Sequence, residues 1–593
     1  MQLDFLRLGP TRFFLTRLGL TLALLAACVV PARAEFKAGA AVIDITPPKL
    51  PVLANGGMLS RSVDKIKTRI HARAIALADG KTQIAVVVVD SCMMSRPLLD
   101  EAKSLAEKRT GIPANRMLIS ATHAHSVPSS MGCLGTEPDP AYVPFLRDKL
   151  VEAVAAAQAA LEPARVGFAK ASAADFTALR QWIKRPDRVT EDPFGNMTVR
   201  ANMHAGAKWD DATGEAGPED PDLSLISIQS RNGRPLAVLG NFSMHYFGDR
   251  DLSADYYGLF CEGLKQRIAP DTAPGKPAFV GLMSHGCSGD IWRRDYTRPA
   301  SEWNAKLTID DYAGGLLDIA MKAYQDIRYR DNVDLAMAKP KITEAAIGML
   351  EKISGQPRRE WKLNDGPAAR AILEASPAAY WRLNEFTGPH AADASGHGHD
   401  AVYEPEITYY LEGPRSASFC APGELNRAAH FVGGRLRARL SGLGDHYSVS
   451  LWLWNGMPND GRETSGWLFS RGRDHGLDTQ GDHLGIGGRS AHTGRLIFFH
   501  GDDANTATAG KTEIPRWQWR HVVLVRDGQT VRIYLNGRLE IEAKTAASSP
   551  AGLEQCFFGG RSDGDSNWEG RLDEIAVFNR ALTAAEVARL VVR

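Results

Sequence analysis

The hydrophobic pattern of this 593-residue chain changes its period near residue 345, and that change constrains the architecture more than any other feature. Before it, short apolar runs alternate with helical stretches. Ile84-Ala85-Val86-Val87-Val88-Val89 reads as a strand, Arg96 to Arg109 as a helix, Met117-Leu118-Ile119 as a strand and Pro144 to Leu161 as an alanine-rich amphipathic helix. Leu236 to Leu239 and Ala278 to Leu282 are two further strands. This alternation predicts an α/β unit, and the near-continuous apolar strands suit a mixed sheet covered on both faces. From about residue 375 the pattern is all-β. Tyr447 to Trp454, Arg495 to Phe499, Trp519 to Val525 and Val531 to Leu535 are strand-like, and Arg526-Asp527-Gly528 and Asn536-Gly537 are hairpin signals. Many short strands with regular turns predict a jelly-roll sandwich. The expected divisions are 35–345 for the α/β unit, 346–374 for a charged connector and 375–593 for the jelly roll.

Residues 1–34 read as an export signal. Arg7, Arg12 and Arg17 precede the 13-residue apolar stretch Leu18 to Val30, which is short for a membrane span, and Ala32-Arg33-Ala34 is a small-x-small cleavage site. The expectation is a periplasmic or extracellular protein. Leu25-Ala26-Ala27-Cys28 also matches a bacterial lipobox, in which Cys28 would carry a lipid anchor. The other six cysteines show no C-x-x-C spacing, so no cysteine zinc site is legible, and any disulfides would be isolated staples. Lysine and arginine number 70 against 69 acidic residues, which gives no bulk electrostatic footprint for nucleic acid.

The chemistry concentrates where strands end. Thr122-His123-Ala124-His125-Ser126 follows one strand, and in extended geometry its two imidazoles would share a face. Val89 runs into Asp90-Ser91, Leu239 leads through Asn241 to His245, and Leu282 leads into Ser284-His285-Gly286-Cys287-Ser288-Gly289-Asp290. Ligands of open α/β sheets gather beyond the carboxyl ends of strands. Neutral imidazole is the commonest metal ligand and suits zinc. The chain has no H-E-x-x-H, no G-x-S-x-G, no Walker A sequence and no Rossmann fingerprint, which disfavours zincin, serine-elbow, nucleotide and nicotinamide chemistry.

Residues 35 to about 340 resemble the amino-terminal part of the neutral/alkaline non-lysosomal ceramidase family. The matching pieces are Gly39 to Pro48, Ala121 to Ser126, Asn241-Phe242-Ser243-Met244-His245, Ser253-Ala254-Asp255-Tyr256 and Cys287-Ser288-Gly289-Asp290-Ile291. The resemblance implies a zinc-dependent hydrolase of N-acyl amide bonds with a ceramide-like or other small amide substrate. It implies His123 and His245 as zinc ligands and His125 as the histidine on the substrate side, able to shuttle protons. Two positions depart from the family. The serine expected two residues beyond Asp290 is Trp292, and the glutamate and tyrosine that complete the family's zinc site have no counterpart. Pro422-Gly423-Glu424 resembles the glutamate motif but falls within the β pattern. Asp90, His285 and Asp290 are therefore the candidates for completing the site.

Residues 375–593 resemble a laminin-G-like or concanavalin A-like jelly roll, from Tyr380-Trp381-Arg382-Leu383-Asn384-Glu385 to Gly570-Arg571-Leu572-Asp573-Glu574-Ile575. Such domains bind glycans or proteins, in some cases with calcium. Trp452 and Trp454 alternate with leucines, which reads as core in preference to a sugar platform. The leading expectation is an exported zinc amidohydrolase with an attached binding module. The alternative is a non-catalytic exported binding or adhesion protein on a degenerate scaffold.

Overall fold

The computed structural model describes residues 35–203, 210–271, 275–296, 308–338, 365–475, 481–501, 503, 506–545 and 554–591. The signal and Cys28, with much of the connector, lie outside the described residues. Among the described residues no helix is long and apolar enough to cross a membrane.

The first unit is built on eight strands: β1 (Lys37–Asp44), β2 (His71–Ala78), β3 (Gln83–Val89), β4 (Met117–Ala121), β5 (Glu162–Ser172), β6 (Asp222–Ser230), β7 (Pro235–Phe242) and β8 (Val280–His285). Their order across the sheet is β8-β7-β6-β5-β1-β2-β3-β4. Only the outer pairs, β3 with β4 and β7 with β8, are parallel; the pairs between them are antiparallel. Each parallel pair needs a crossover helix, and the chain supplies α1 (Arg96–Thr110) for one and α3 (Asp255–Ile268) for the other. α1 carries Pro97 in its first turn and ends at Gly111, whose φ of 72° fits the left-handed cap that glycine tolerates. α2 (Tyr142–Ala159) packs on β1 and β2, and α4 (Ile309–Gln325), opened by a Thr308–Asp311 capping box, packs against α3.

The apolar run of β3 is explained by burial on both faces. Ala85, Val87 and Val89 enter the core shared with α1 and α2. Val88 enters a second core with Ile75, Leu236, Val280 and Leu282, because the sheet folds over and β8 meets β2, β3 and β4. This fold-over brings the carboxyl ends of the two parallel pairs to one place.

The second unit is a sandwich of two eight-stranded antiparallel sheets. Leu451 and Leu453 of β9 (His446–Asn455) and Leu572 and Ile575 of β10 (Glu569–Phe578) fill its core. Trp452 and Trp454 are buried on the opposite side of β9. Trp452 packs with Val523, Tyr534, Ala576 and Phe578 under two helices, α5 (Pro367–Glu374) and α6 (Ala584–Leu590). α5 falls in the stretch read as connector, yet Ala368, Ala369 and Ile372 seal it onto the jelly roll. All six described cysteines are free thiols.

A three-stranded sheet inserted in the first unit, Gln181–Lys184 with Ala201–Met203 and Ala212–Glu215, docks on the jelly roll. Arg200 pairs with the buried Glu569 at 2.9 Å, Arg516 with Asp210 at 3.0 Å, and Arg571 with Glu215. Trp517 lies between Trp182 of the insert and Trp454 of the sandwich, at ring separations of 5.6 and 6.1 Å.

Candidate metal centre

Four histidines meet where the folded sheet brings its strand ends together. His123 and His125 follow β4, His245 follows β7 and His285 ends β8. The His-x-His pair does not converge as an extended strand. His123 has a φ of 67°, in the left-handed region that a minority of non-glycine residues occupy. The turn there, not strand alternation, brings the rings to 4.6 Å.

The backbone fixes the tautomers. A carbonyl oxygen only accepts, so His123 Nδ1 donates to Cys92 O at 2.8 Å and His245 Nδ1 donates to Ser288 O at 3.0 Å. The Arg180 guanidinium is 3.4 Å from His245 Nδ1, but it cannot donate to a nitrogen already carrying hydrogen, and its own partner is Gly289 O. With Nδ1 committed, the Nε2 atoms of His123 and His245 are the ring nitrogens left to bind a cation, and they face each other at 3.2 Å. His125 Nε2 stands 3.0 Å from His123 Nε2, and its Nδ1 is buried without a hydrogen-bond partner. Burial foremost, and then the charges of His123 and His245, hold His125 down to about 3. Burial and then the Arg180 charge hold His245 at about 4, and burial and then His123 hold His285 at about 4. These three imidazoles are neutral at pH 7, the form that binds metal. In the neutral, metal-binding form of both rings the two lone pairs at 3.2 Å repel unless a cation lies between them, and a ring nitrogen anchored on a carbonyl is the usual outer support of a histidine ligand. The donor set fits a divalent metal such as zinc.

Cys92 Sγ, His123 and His125 also offer ligand atoms within 4.8 Å of one another. The Cys92 sulfur, however, is 3.8 Å from the Nδ1 edge of His123, whose hydrogen is committed to Cys92 O, and burial pushes its thiol up to about 12. His285 Nε2 lies 3.2 Å from Met244 O and contacts the Ser288 hydroxyl, with its ring 5.5 Å from that of His123.

A cavity of about 450 Å³ opens beside the cluster. Met93, Met94, Leu99, Ile119 and Ala121 form its apolar wall, and His123, His245 and His285 its polar floor. His125 is not among its lining residues; its ring stacks on Tyr246 at 3.7 Å with an interplanar angle of 12°. Asp90 is fully buried away from the cluster, where it accepts from Arg73 at 2.8 and 2.7 Å and from the His71 backbone at 2.8 Å. Asp290 is exposed, and its backbone carbonyl receives the Arg180 N–H at 2.8 Å. Trp292 packs edge-on against Tyr246 at 5.5 Å, so an aromatic ring fills the space where the resemblance expects a serine.

Three contributors carried no separate signal in sequence. Arg180 reaches the centre from a short strand edge. Asp255, part of the quoted Ser253-Ala254-Asp255-Tyr256 stretch, holds the His245 loop by accepting from Phe247 N at 2.9 Å and Gly248 N at 2.8 Å. Gly56, at a φ of 102°, leaves room for His125, because a Cβ there would lie 2.6 Å from the His125 side chain.

Residues 435–588 match the family profile of the concanavalin A-like lectin/glucanases superfamily. They form a concanavalin A-like domain. Among solved structures the chain is similar to a neutral ceramidase from Pseudomonas aeruginosa, at 16% identity over 49% of this chain and 45% of that one, with a TM-score of 0.37. A ceramidase complexed with C2 gives 17% identity over 49% and 44%, with a TM-score of 0.38. Domain 4 of AbnA, a GH43 extracellular arabinanase from Geobacillus stearothermophilus in complex with arabinotriose, gives 21% identity over 37% of this chain and 98% of that one, with a TM-score of 0.27. The chain thus spans less than half the length of the ceramidases it matches. No curated protein matches it.

Proposed function

We propose that the protein is an exported, metal-dependent hydrolase of N-acyl amide bonds with a lipid-like acyl substrate. The observation that carries this reading is the pair of Nε2 atoms of His123 and His245, facing each other at 3.2 Å on the polar floor of a cavity with an apolar wall. When bound, zinc at such a site supplies Lewis acidity toward a carbonyl and lowers the pKa of water. The chain's own residues do the rest. Met93, Met94, Leu99 and Ile119 offer an apolar wall to an acyl chain, which is the surface that excludes bulk water from the amide. His285, neutral and paired with the Ser288 hydroxyl, is positioned at the cavity to accept or return a proton. Arg180 places a fixed positive charge beside the His245 ring. Export is supported by the basic, apolar and small-x-small order of residues 1–34, and a glycan or cell-surface protein ligand for the jelly roll by its concanavalin A-like family match.

The test begins with the metal content of the purified full chain, followed by hydrolysis of N-acyl amides of graded chain length. Roughly one zinc per chain and turnover that rises with acyl length are expected. A protein that takes up no zinc, and whose thermal stability does not change on adding it, refutes the reading and leaves a non-catalytic binding protein.

A further inference from the structure

We infer that His125 is the third protein ligand of the metal held by His123 and His245, so that three imidazoles stand in for the carboxylate and phenol that the resemblance implies and that have no counterpart in the sequence. The inference rests on the metal-dependent reading above and assigns one more residue to that same centre.

The argument starts from lone pairs. A neutral imidazole has a single in-plane lone pair, and that of His123 is on Nε2, because Nδ1–H is committed to Cys92 O at 2.8 Å. If this lone pair binds metal, it cannot also accept a hydrogen from His125. Yet His125 Nε2 stands 3.0 Å from it. Two nitrogens that close, the first of them a ligand, sit without repulsion when the second turns its own lone pair toward the same cation. Two zinc-bound nitrogens at a tetrahedral angle are about 3.3 Å apart. The observed separations of 3.0 Å between His125 and His123 and 3.2 Å between His123 and His245 match that spacing.

The alternative is a simple hydrogen bond in which His125 Nε2–H donates to His123. It would block the only lone pair His123 has and would leave the repulsion between His123 and His245 unrelieved. Two features hold His125 where it is: Tyr246 stacks on its ring at 3.7 Å, and the missing side chain of Gly56 gives it room. The other candidates are engaged elsewhere. His285 faces Met244 O and Ser288, the Cys92 thiol lies at the Nδ1 edge of His123, and Asp90 is locked to Arg73. Three protein ligands with an open fourth position are the usual make-up of a catalytic zinc site.

The experiment measures binding, not turnover. The full chain is stripped with a chelator and titrated with zinc against a chromophoric competitor, alongside His125→Ala and Cys92→Ser. His125→Ala should weaken zinc binding by more than about 100-fold, beyond the loss of an outer hydrogen-bond partner, and Cys92→Ser should leave it within a few-fold. X-ray absorption of the zinc-loaded wild type, which needs no variant to fold, should count three imidazoles and no sulfur. Wild-type affinity in His125→Ala, two imidazoles in the absorption spectrum, or a zinc–sulfur shell at about 2.3 Å would each overturn the assignment. A wild-type chain that binds no zinc at all would instead refute the functional reading on which it rests.

Discussion

Asp90 separates a structural carboxylate from a catalytic one. It ends a strand beside the histidine cluster, as a metal ligand would, but its side chain is 0% exposed and ion-paired with Arg73, itself 2% exposed, at 2.7 Å. A third contact, from His71 N at 2.8 Å, falls on Oδ2. Burial disfavours the Arg73 charge, and its neighbours, Asp90 foremost and then Cys261 and Glu262, together outweigh it and raise the arginine above its usual range. Substituting Asp90→Asn removes the charge and keeps the shape, so buried Arg73 keeps only the long ion pair, at 3.9 Å, with the half-exposed Glu262. Breaking one side of a buried pair costs about 3–5 kcal/mol, a large part of the ~5–15 kcal/mol that holds a domain folded. For a unit of roughly 300 residues the unfolding entropy is about 0.6 kcal/mol/K, so its melting temperature should fall by about 5–8 °C, and by about half that if the whole chain unfolds as one. Differential scanning calorimetry of the zinc-loaded proteins measures this, and zinc titration should give wild-type affinity. The double substitution Arg73→Met with Asp90→Leu should recover much of the loss, because two apolar groups leave no stranded charge. An Asp90→Asn protein that melts with the wild type but loses its zinc would refute this reasoning and make Asp90 a ligand.

Three further outcomes are expected. Asp255→Ala strands the backbone donors of Phe247 and Gly248, at about 1–3 kcal/mol for each donor left dry, and should lower both the melting temperature and zinc affinity; unchanged zinc affinity in a folded variant would show that the His245 loop does not need this carboxylate. Burial foremost, with Glu215 next, raises Glu219 from 4.5 to about 8, so the folded state keeps a proton that the unfolded chain loses near 4.5, and stability should fall as pH rises between these values. In urea titrations Glu219→Gln should therefore gain stability over the wild type at pH 8 compared with pH 5, and equal pH slopes for the two proteins would contradict this. Gly214→Val would drive a side chain into His430, since even a Cβ there lies 2.5 Å from that ring, and should split unfolding of the two units into separate calorimetric transitions; a single unchanged transition would mean that the docked insert does not couple them.

Much of the fold is legible in the sequence because it rests on local period. The continuous apolar run of β3 follows from burial on both faces, and Pro97 and Gly111 bracket α1 as start and stop signals. The convergence of His123 and His245 is legible as polar residues at strand ends. What escapes the sequence is long-range. Asp90 and Asp255 look alike as acidic residues beside chemistry, and only the antiparallel register of β2 with β3 reveals that Arg73 lies beside Asp90. The left-handed turn at His123 leaves no periodic trace, because one backbone torsion in a polar loop has no pattern to disturb. α5 reads as connector because an eight-residue helix shows barely two turns, and its apolar face is meaningful only once the outer surface of the jelly roll is in place.

The jelly roll is more than an appended module, and the electrostatics of its contact show why. His430, fully buried at the junction, is held well below its usual value by burial and by Arg571, so it meets Thr213 at 3.4 Å as a neutral ring. Glu569, buried beside Arg200, is raised to about 7 by burial. Groups desolvated to this degree belong to a closed interface, where exposed ion pairs would be screened and weak. The same contact reaches toward the metal centre. Trp517 of the jelly roll packs on Trp182, whose indole N–H donates to Leu179 O at 2.8 Å, and the next residue, Arg180, lies against His245. Strand Ala178–Leu179 pairs with Ile291–Trp292, so the same support continues to the aromatic ring beside His125. The histidine cluster is thus braced from outside by the jelly roll, whose docked face does structural work on the site.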